Sequence, residues 1–422
     1  MQTFVCLFLK NFYSEVNPVK KILSVIMCVV LIMSSCCLAA FAAKAENDSS
    51  LQNDNTAKIL VCANKGDWQN APENSVKAIK KCKCDYVSVD VKVTADGIPV
   101  LMEDETVDRT CVDESGKAVK GKVSELTYEK IKEFYLRNRN GGLHNEKTKE
   151  KVPSLVKVLN ETFGQTLILD FALSDLDAVY NIIDTAGAYP QIIFRIDGKV
   201  KDVKAALSAK EIVPAFILKY DGNIIFSVNS TINAANSSGL SMVQLGTKNQ
   251  YGVIFYKNVE NKMQSSMIKG VFSMTDGWNA KRDDNYIGWD DVISHGYSII
   301  ETNYPAQLNE YIRQTEEART ALAELVAKCA EYDSKDYPQN IYESFKAAYN
   351  NALSLSGGNA SKAQLTQAYT KLRGLCNELD VAQGTSISEA ALKITPGRVI
   401  AAVLCLAAVV AAQVFFIKRK EK

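Results

Sequence analysis

The chain has 422 residues, of which 47% are hydrophobic, so it is long enough for a barrel-sized domain and a smaller second one. Its net charge is only +1, and residues 44–397 carry 46 acidic against 41 basic side chains. A mildly acidic folded part without a basic stripe is a poor match for nucleic acid, so we expect no nucleic-acid partner.

The N-terminal segment, residues 1–45, is typical of a secretory signal. Lys20 and Lys21 precede an uncharged run at 22–43 that ends in small residues. The A-x-A endings of this run favour cleavage, whereas its length would also allow an uncleaved membrane span. The polar stretch 46–57 that follows is predicted to be a linker.

From residue 58 to residue 305, short β-rich runs alternate with helical segments. This alternation predicts a closed (β/α)₈ barrel; the alternative, an open doubly wound sheet, lacks its glycine-rich nucleotide turn. One run follows its predecessor too closely for a crossover helix and is predicted to form a hairpin with it. The predicted strands are 59–63, 86–93, 99–103 (the hairpin), 166–171, 191–196, 213–220, 242–246, 270–274 and 297–302, and the clearest predicted helices are 125–135, 153–163, 173–187 and 200–209.

Beyond the barrel, the pattern becomes helical, and residues 306–381 are predicted to form a three-helix bundle. A linker at 382–397 leads to an apolar run within 398–418, which we predict to be a single transmembrane helix. The basic tail 419–422 predicts a cytoplasmic C-terminus, which would place the barrel and the bundle outside the cell. The predicted bundle helices are 306–332, 339–355 and 361–380.

Cysteine placement suggests one disulfide. Cys329 and Cys376 lie near the C-terminal ends of the first and third bundle helices, which run parallel in an up-down-up bundle. We therefore predict adjacent Cα atoms and a disulfide; two buried free thiols in contact are the alternative. His144 and His295 are the only histidines and no C-x-x-C pair occurs, so a zinc site is not expected.

Four short motifs in the barrel region carry a resemblance to a known family. They are "APENS" at 71–75, "VSVDVKVTADGIPVLMEDETVDRT" at 87–110, "VPSLVKVL" at 152–159 and "ETNYP" at 301–305. In this order they resemble the glycerophosphodiester phosphodiesterase family, and the likeness covers residues 58–305. The resemblance implies a barrel that binds a phosphodiester through a calcium or magnesium ion, with two histidines for acid and base work.

The positions that transfer protons in that family are changed in this chain. The two histidines correspond to Asn64, which cannot exchange a proton near neutral pH, and to Glu103. The arginine that grips the phosphate corresponds to Lys65, which keeps the charge but lacks the bidentate fork. The resemblance therefore implies a degenerate active site.

The metal-binding positions are only partly kept. Ser88 replaces one carboxylate of the family's pair, Asp90 keeps the other, and Asp170 and Ala172 stand for a glutamate and a lysine. Asp90, Glu103 and Asp170 would still supply three carboxylates for Ca²⁺ or Mg²⁺, and Glu103 with a raised pKa would serve as a general acid. We favour the alternative that Glu103 pairs with Lys65 and that no cofactor is bound.

Further residues are expected around the mouth of the barrel. Glu73, Phe272 and Trp278 are predicted to line a pocket for a sugar or glycerol group, although ordinary packing of Trp278 is equally consistent with its position. His144 lies in a loop on the mouth side and is expected to be solvated. His295 precedes the last strand and therefore belongs to the opposite end of the barrel.

Together these features favour a membrane-anchored, extracellular family member that has lost metal-dependent hydrolysis. It would bind a phosphodiester, a cell-surface polymer or a partner protein. One alternative is an active phosphoric diester hydrolase with a rearranged carboxylate metal site. The other is a structural surface module in which the barrel is a spacer.

Overall fold

The computed structural model describes residues 58–332, 337–358 and 360–382. The predicted signal segment, the first linker, the C-terminal span and the cytoplasmic tail lie outside these residues, as does the second linker after residue 382. Within the described ranges, no helix has both the length and the apolar character that crossing a membrane requires.

Strands in the described part of the chain form one large and one small sheet. They are β1 Leu60–Asn64, β2 Tyr86–Val93, β3 Pro99–Leu101, β4 Cys111–Val112, β5 Tyr135–Arg137, β6 Lys147–Lys151, β7 Leu167–Ala172, β8 Ile192–Asp197, β9 Ala215–Asp221, β10 Met242–Gly246, β11 Lys269–Ser273 and β12 Tyr297–Thr302. Eight of them pair in parallel in the order β1-β12-β11-β10-β9-β8-β7-β2, and β2 pairs again with β1. The predicted closed (β/α)₈ barrel is therefore confirmed.

Two additions extend this barrel. Strand β3 pairs antiparallel with β2, from Val93 opposite Pro99 to Val91 opposite Leu101, so the predicted hairpin is confirmed. Strands β4, β5 and β6 form a separate antiparallel sheet that the sequence did not predict. This small sheet covers its own apolar cluster, which includes Val107, Ile131 and Leu136.

Helices alternate with the strands of the barrel and then follow the last strand. They are α1 Val76–Lys81, α2 Tyr128–Ile131, α3 Leu155–Glu161, α4 Leu176–Ala186, α5 Val200–Ser208, α6 Ile225–Ser237, α7 Lys257–Ser265, α8 Tyr286–Ser294, α9 Pro305–Cys329, α10 Gln339–Ser356 and α11 Lys362–Ala382. Side chains capping the N-termini fix some of the starts: Ser75 accepts a hydrogen bond from the Ala78 amide of α1. The predicted helix 125–135 is reduced to α2, because the chain turns into β5 at Tyr135.

Alternation along the strands divides the barrel into two apolar layers. Inward-facing side chains such as Cys62, Ile168 and Ile193 fill the barrel interior. Outward-facing side chains such as Val61, Leu169 and Phe194 pack with the helices in the larger core. Since side chains on one face recur every second residue, the residues two positions after Ile168 and Ile193 also point inward, nearer to the carboxyl ends of the strands.

Helices α9, α10 and α11 form the predicted three-helix bundle around an apolar core of their own. The Sγ atoms of Cys329 and Cys376 lie 2.8 Å apart, so the predicted proximity is confirmed. Both are free thiols in the structure, and the predicted disulfide is not formed there. A disulfide instead joins Cys82 and Cys84, after α1.

Candidate functional site at the barrel mouth

The barrel mouth consists of the carboxyl ends of the eight parallel strands and the loops that follow them, which is where barrels of this kind place their sites. Asp90 on β2 and Asp170 on β7 are direct register partners. Lys65 follows β1, and its Nζ atom lies 2.5 Å from Oε2 of Glu103, as the favoured ion-pair alternative predicted. The structure thus brings together all four charged residues that the sequence placed at the mouth.

A buried guanidinium occupies the centre of this mouth. Arg195 of β8 is 5% exposed, and each of its five N–H groups meets an acceptor. Its Nε donates to Asp170 Oδ2 at 2.9 Å, and its two terminal nitrogens form a fork with Glu301 at 2.8 and 3.0 Å. The remaining two donors reach Gln244 Oε1 at 3.1 Å and Ser88 Oγ at 2.7 Å.

Electrostatics agree with this arrangement. Burial alone would raise the pKa of Glu301, but the charge and hydrogen bonds of Arg195 outweigh burial and hold that pKa below its usual value. The carboxylate therefore stays ionised beside the guanidinium. Ser88, which stands where the resemblance expects a glutamate, is small enough to leave room for the Arg195 side chain and accepts its hydrogen bond.

The carboxylates predicted as metal ligands are engaged in other ways. Asp170 accepts from Arg195, whereas Glu103 pairs with Lys65 and, at 2.9 Å, with Arg109. Among the described residues, no three carboxylate, histidine or cysteine side chains are arranged to hold a metal ion. The predicted ligand set of Asp90, Glu103 and Asp170 is therefore not assembled, because two of its three members are ion-paired with basic side chains.

A second arginine ties the loops of the mouth together. Arg109 donates to Glu73 at 2.6 Å and to Asp104 at 2.7 Å, as well as to Glu103 and the backbone oxygen of Asn140. Glu73 is only 4% exposed and contributes this ion pair, so it does not line an open pocket as predicted. Arg109 lies in a quoted motif, but nothing in the sequence assigned it this role.

Asn64, at the position of the family's first histidine, belongs to an amide network. Its Nδ2 donates to Asn303 Oδ1 at 3.0 Å, and Trp68 Nε1 donates to the same oxygen at 2.9 Å. An amide and an indole N–H exchange no proton near neutral pH. This corner of the mouth can bind and orient a polar ligand but cannot act as an acid or a base.

Asp90 is a mouth carboxylate that, in the described part of the chain, accepts no hydrogen bond from a basic side chain. The Asn74 side chain donates to its Oδ2 at 2.9 Å and accepts from its backbone amide at 3.0 Å. Burial, followed by the nearby charge of Asp170, raises the pKa of Asp90 to about 7. Asp90 could therefore hold or release a proton near neutral pH.

The two aromatic residues predicted for the pocket have different environments. Phe272 is fully buried on the outer face of β11, where its ring packs against Tyr297 at 5.1 Å between centroids. It does not line the mouth, because Val271 and Ser273, its neighbours in the strand, take the inward positions. Trp278 lies half-buried in the loop after β11, at the mouth, with Lys248 Nζ 4.7 Å from its ring centroid.

Neither histidine reaches the mouth network. His144 is exposed in the loop between β5 and β6, as expected for a solvated side chain. His295 follows α8, where its Nδ1 lies 2.7 Å from the Asp291 backbone oxygen and its ring packs against Phe255. In the described part of the chain, neither imidazole therefore belongs to the charged network of the mouth.

Unusual backbone conformations concentrate in the loops of the mouth. Lys65, Asn74 and Arg139 have φ values of 60°, 54° and 51°, in the left-handed region that non-glycine residues seldom adopt. They are linked by backbone hydrogen bonds: Asn74 donates to Lys65, and Glu73 donates to Arg139. Such conformations cost free energy and tend to persist at binding and catalytic sites.

Comparison with known proteins finds similarity to one family. The model of the glycerophosphoryl diester phosphodiesterase family matches residues 65–189. Glycerophosphodiester phosphodiesterase 1 of Homo sapiens is 29% identical over 169 residues, which are 36% of this chain and 49% of that protein. The glycerophosphodiester phosphodiesterase of Caldanaerobacter subterraneus is 31% identical over 150 residues, 34% of this chain and 54% of that protein.

The chain thus spans about half the length of the curated relatives it matches. Among solved structures, the glycerophosphodiester phosphodiesterase from Agrobacterium tumefaciens superposes with a TM-score of 0.46 at 15% identity, over 60% of this chain and 99% of that one.

Proposed function

The barrel of this chain belongs to the glycerophosphodiester phosphodiesterase family, and we propose that it binds a phosphodiester or a phosphate-containing surface polymer without hydrolysing it. The observation that carries the proposal is the guanidinium of Arg195. A fixed cation neutralises Asp170 and Glu301 at the centre of the mouth, and all of its donors are used within the protein.

Loss of hydrolysis follows from this arrangement in two ways. A metal ion would polarise the phosphoryl oxygens of a diester, but Asp170 is already committed to Arg195. Proton transfer to the leaving alcohol needs a group poised near neutral pH, and Asn64 and the ion-paired Glu103 occupy the two family positions for that work. Calcium or magnesium remains the cofactor expected only if the site is active.

Retention of binding is supported by Lys65 and by the loop that holds it. Burial lowers the pKa of Lys65, but Glu73, Asp90 and Glu103 together raise that pKa above its usual value, so the ammonium stays charged. Gly66 has a φ of 78°, and a Cβ there would lie 2.7 Å from the Ala78 carbonyl carbon, so the loop keeps its tight approach to α1. The loop after β1 therefore keeps a positive charge that can bind an anion, although the family's acid and base are absent.

The test uses the full-length chain in a maltoside detergent. We expect no hydrolysis of glycerophosphocholine or glycerophosphoglycerol with calcium, with magnesium or with chelator, but binding of glycerophosphoglycerol in isothermal titration. Lys65→Ala should abolish that binding, whereas Lys80→Ala, on the surface of α1, should leave it unchanged. Turnover that chelator abolishes and that Asp90→Ala removes would overturn the proposal.

A second candidate is a hydrolase with a rearranged site, and Asp90 favours it. With a pKa raised to about 7, mainly by burial, this carboxyl could deliver a proton to a leaving alcohol. Turnover through Asp90 without a metal would persist in chelator and fall as the pH rises through about 7. The same assay, repeated with chelator from pH 5 to pH 9, distinguishes the two candidates.

We also propose that the chain acts at the cell surface, held by the apolar run within 398–418. The support is the sequence alone: an uncharged N-terminal run, an apolar C-terminal run and basic residues after it. Protease added to intact cells should then digest the barrel and bundle but leave an epitope fused after Lys422 protected. Protection of the barrel instead would contradict this topology.

A further inference from the structure

The outer face of the small sheet carries a cluster of lysines. Strand β6 is an edge strand of this sheet, and exposed residues alternate with half-buried ones from one end of it to the other. Since successive side chains of a strand point to opposite faces, Lys147, Lys149 and Lys151 share the exposed face. Thr148 and Glu150 separate these lysines in the sequence, so the cluster forms only because the segment folds as a strand.

Tyr135 of β5 holds two of these lysines on one surface. The Nζ atoms of Lys147 and Lys151 each lie 4.6 Å from the centroid of its ring, so the two ammonium groups are at most twice that distance apart. Lys147 also donates to the backbone oxygen of Glu114. None of the three lysines forms an ion pair with a carboxylate in the described part of the chain. Their charge is therefore left for an anion from outside the protein.

The loop 138–146, between β5 and β6, connects this lysine cluster to the barrel mouth. The carbonyl of Arg139 accepts a hydrogen bond from the Glu73 amide at 2.8 Å, and the Gly142 amide donates to the Arg109 carbonyl at 2.7 Å. Glu73 and Arg109 are the ion pair that ties the mouth loops together, and β6 begins directly after this loop. The lysine cluster therefore borders the mouth on the side of Arg109.

The spacing of the lysines matches one kind of anion. Side chains on one face of a strand recur every two residues, up to about 7 Å apart. Two residues of backbone contain six covalent bonds, and six bonds also separate neighbouring phosphorus atoms in a chain of glycerol phosphates. A polyol-phosphate chain can therefore lie along β6 with successive phosphates near successive lysines.

We propose that Lys147, Lys149 and Lys151 bind consecutive phosphates of a polyol-phosphate polymer whose end group lies at Lys65 in the mouth. The proposal rests on the proposed function and deepens it, because it names a polymer as the ligand. Single-stranded nucleic acid has the same number of bonds between phosphates, but its binding proteins also offer aromatic faces on which bases stack. In this cluster, the ring of Tyr135 is already in contact with two ammonium groups.

The first experiment varies the length and the type of the anion. A dye-labelled oligomer of six glycerol phosphates is titrated with the full-length chain in a maltoside detergent, and fluorescence anisotropy gives its affinity. Unlabelled glycerophosphoglycerol is the one-phosphate competitor. The oligomer should bind at least about tenfold more tightly than glycerophosphoglycerol, because the lysine contacts add to the mouth contact within one complex.

An oligomer of deoxythymidylate with the same number of phosphates tests the choice of polymer. It should bind at least about tenfold more weakly than the glycerol-phosphate oligomer, because it offers no glycerol-phosphate end group to the mouth. Equal or tighter binding of the deoxythymidylate oligomer would overturn the proposal in favour of nucleic acid.

Lysine variants locate the contacts. Replacement of all three cluster lysines by glutamine should lower the affinity for the glycerol-phosphate oligomer to that for glycerophosphoglycerol. The slope of log affinity against log salt should decrease in magnitude by about 2, since three phosphate contacts are lost. The matched control removes three exposed lysines from the bundle and should change neither quantity. The two variants are Lys147→Gln/Lys149→Gln/Lys151→Gln and Lys328→Gln/Lys346→Gln/Lys371→Gln.

A charge-preserving variant separates binding from another role of these residues. Lysines on an edge strand also prevent pairing between sheets, so the glutamine variant could aggregate. Lys147→Arg/Lys149→Arg/Lys151→Arg keeps the three charges and should keep the wild-type salt slope. An unchanged salt slope in soluble glutamine variant, or a reduced slope in the arginine variant, would overturn the proposal.

The proposal and the proposed function can fail separately. Lys65→Ala should abolish binding of glycerophosphoglycerol, but the salt slope that depends on the three lysines should remain with the oligomer. If the lysine cluster does not bind phosphates, the oligomer will bind no more tightly than glycerophosphoglycerol, which still binds at the mouth. If the proposed function is wrong, glycerophosphoglycerol will not bind to the wild-type chain at all.

Discussion

At the scale of single residues, two arginines neutralise most of the carboxylates at the mouth. Arg195 lies between Asp170 and Glu301 with every donor used, and Arg109 performs a similar task for Glu73, Glu103 and Asp104. Arginine suits both positions because its planar fork binds carboxylates in pairs and keeps its charge at any physiological pH. Each cluster is therefore a fixed part of the fold.

Removal of the Arg195 charge should destabilise the barrel strongly. Arg195→Met leaves Glu301 and Asp170 buried without their partner, so we expect a loss of about 3–5 kcal/mol in the free energy of unfolding. Urea denaturation at pH 7 measures this loss in the free energy of unfolding. The double variant Arg195→Met/Glu301→Leu should recover part of the loss, because it removes the more deeply buried of the two orphaned charges. Equal stability of Arg195→Met and wild type would show that the cluster does not contribute.

The raised pKa of Asp90 makes stability depend on pH. Burial, and then Asp170, raise the folded-state pKa to about 7, whereas an unfolded aspartate titrates near 3.9. The folded state therefore binds the proton more tightly, and the free energy of unfolding falls as the pH rises from about 4 to about 7. Asp90→Asn does not titrate, so its Tm should exceed that of wild type by roughly 2–6 °C at pH 8 and lose this advantage at pH 5.

Thermal melts in chelator measure this difference, with Asp104→Asn as the control at a carboxylate that is paired with Arg109. A constant difference between wild type and Asp90→Asn across this pH range would show that Asp90 titrates normally.

The sequence predicted some of these residues and not others, for a physical reason. Asn64, Lys65 and Glu103 stand in motifs, so their positions could be compared with a family pattern. Arg195 is the single charged residue within the predicted strand 191–196, and its main partner Glu301 is 106 residues away in the chain. Only the closure of the barrel brings the two together, and no local pattern carries that information.

At the scale of helices and strands, an element could be predicted where its own sequence carries a pattern, and not where it depends on residues far away in the chain. The eight barrel strands and the three bundle helices have long, periodic apolar patterns, so each was predicted within a few residues. The sheet β4–β6 has no such pattern, since β6 is the charged run Lys147–Lys151 and β4 has only two residues. Its strands form because the segment between β4 and β6 packs over the apolar cluster of the small sheet and because Arg109 pairs with Glu73.

Helices α9 and α11 should be joined covalently under oxidising conditions. The Cys329 and Cys376 sulfur atoms are already in contact at 2.8 Å, so little movement is needed to form the bond. We expect diamide to remove two hydrogen atoms from this pair and to raise the free energy of unfolding by about 3–4 kcal/mol in the chain-entropy view. Peptide mass spectrometry after denaturing alkylation should find the linked peptides, and the buried thiols Cys62 and Cys111 are internal controls. Two alkylated thiols at 329 and 376 would exclude the bond.

At the scale of the whole molecule, the residues that form the fold are different from the residues that would carry out catalysis. The apolar layers, the closing pair β1–β2 and the left-handed loop residues at the mouth are all present, although none of them needs a histidine or a metal ion. Chemistry can therefore change while the scaffold persists. The bundle packs onto the same scaffold through Asp290 of α8, which accepts hydrogen bonds from Tyr311 and from the Ala363 amide.

This separation predicts how hydrolysis would have to be restored. Asn64→His, Ser88→Glu and Glu103→His together return three positions to the residues of the family, but Arg195 would still neutralise the carboxylates. The triple variant should therefore show no metal-stimulated hydrolysis of glycerophosphocholine. Addition of Arg195→Ala releases Asp170 and makes room for the carboxylate that Ser88→Glu introduces, so weak activity that depends on calcium or magnesium should appear only then. Circular dichroism checks that each variant is folded, and activity in the triple variant would show that Arg195 is not the obstacle.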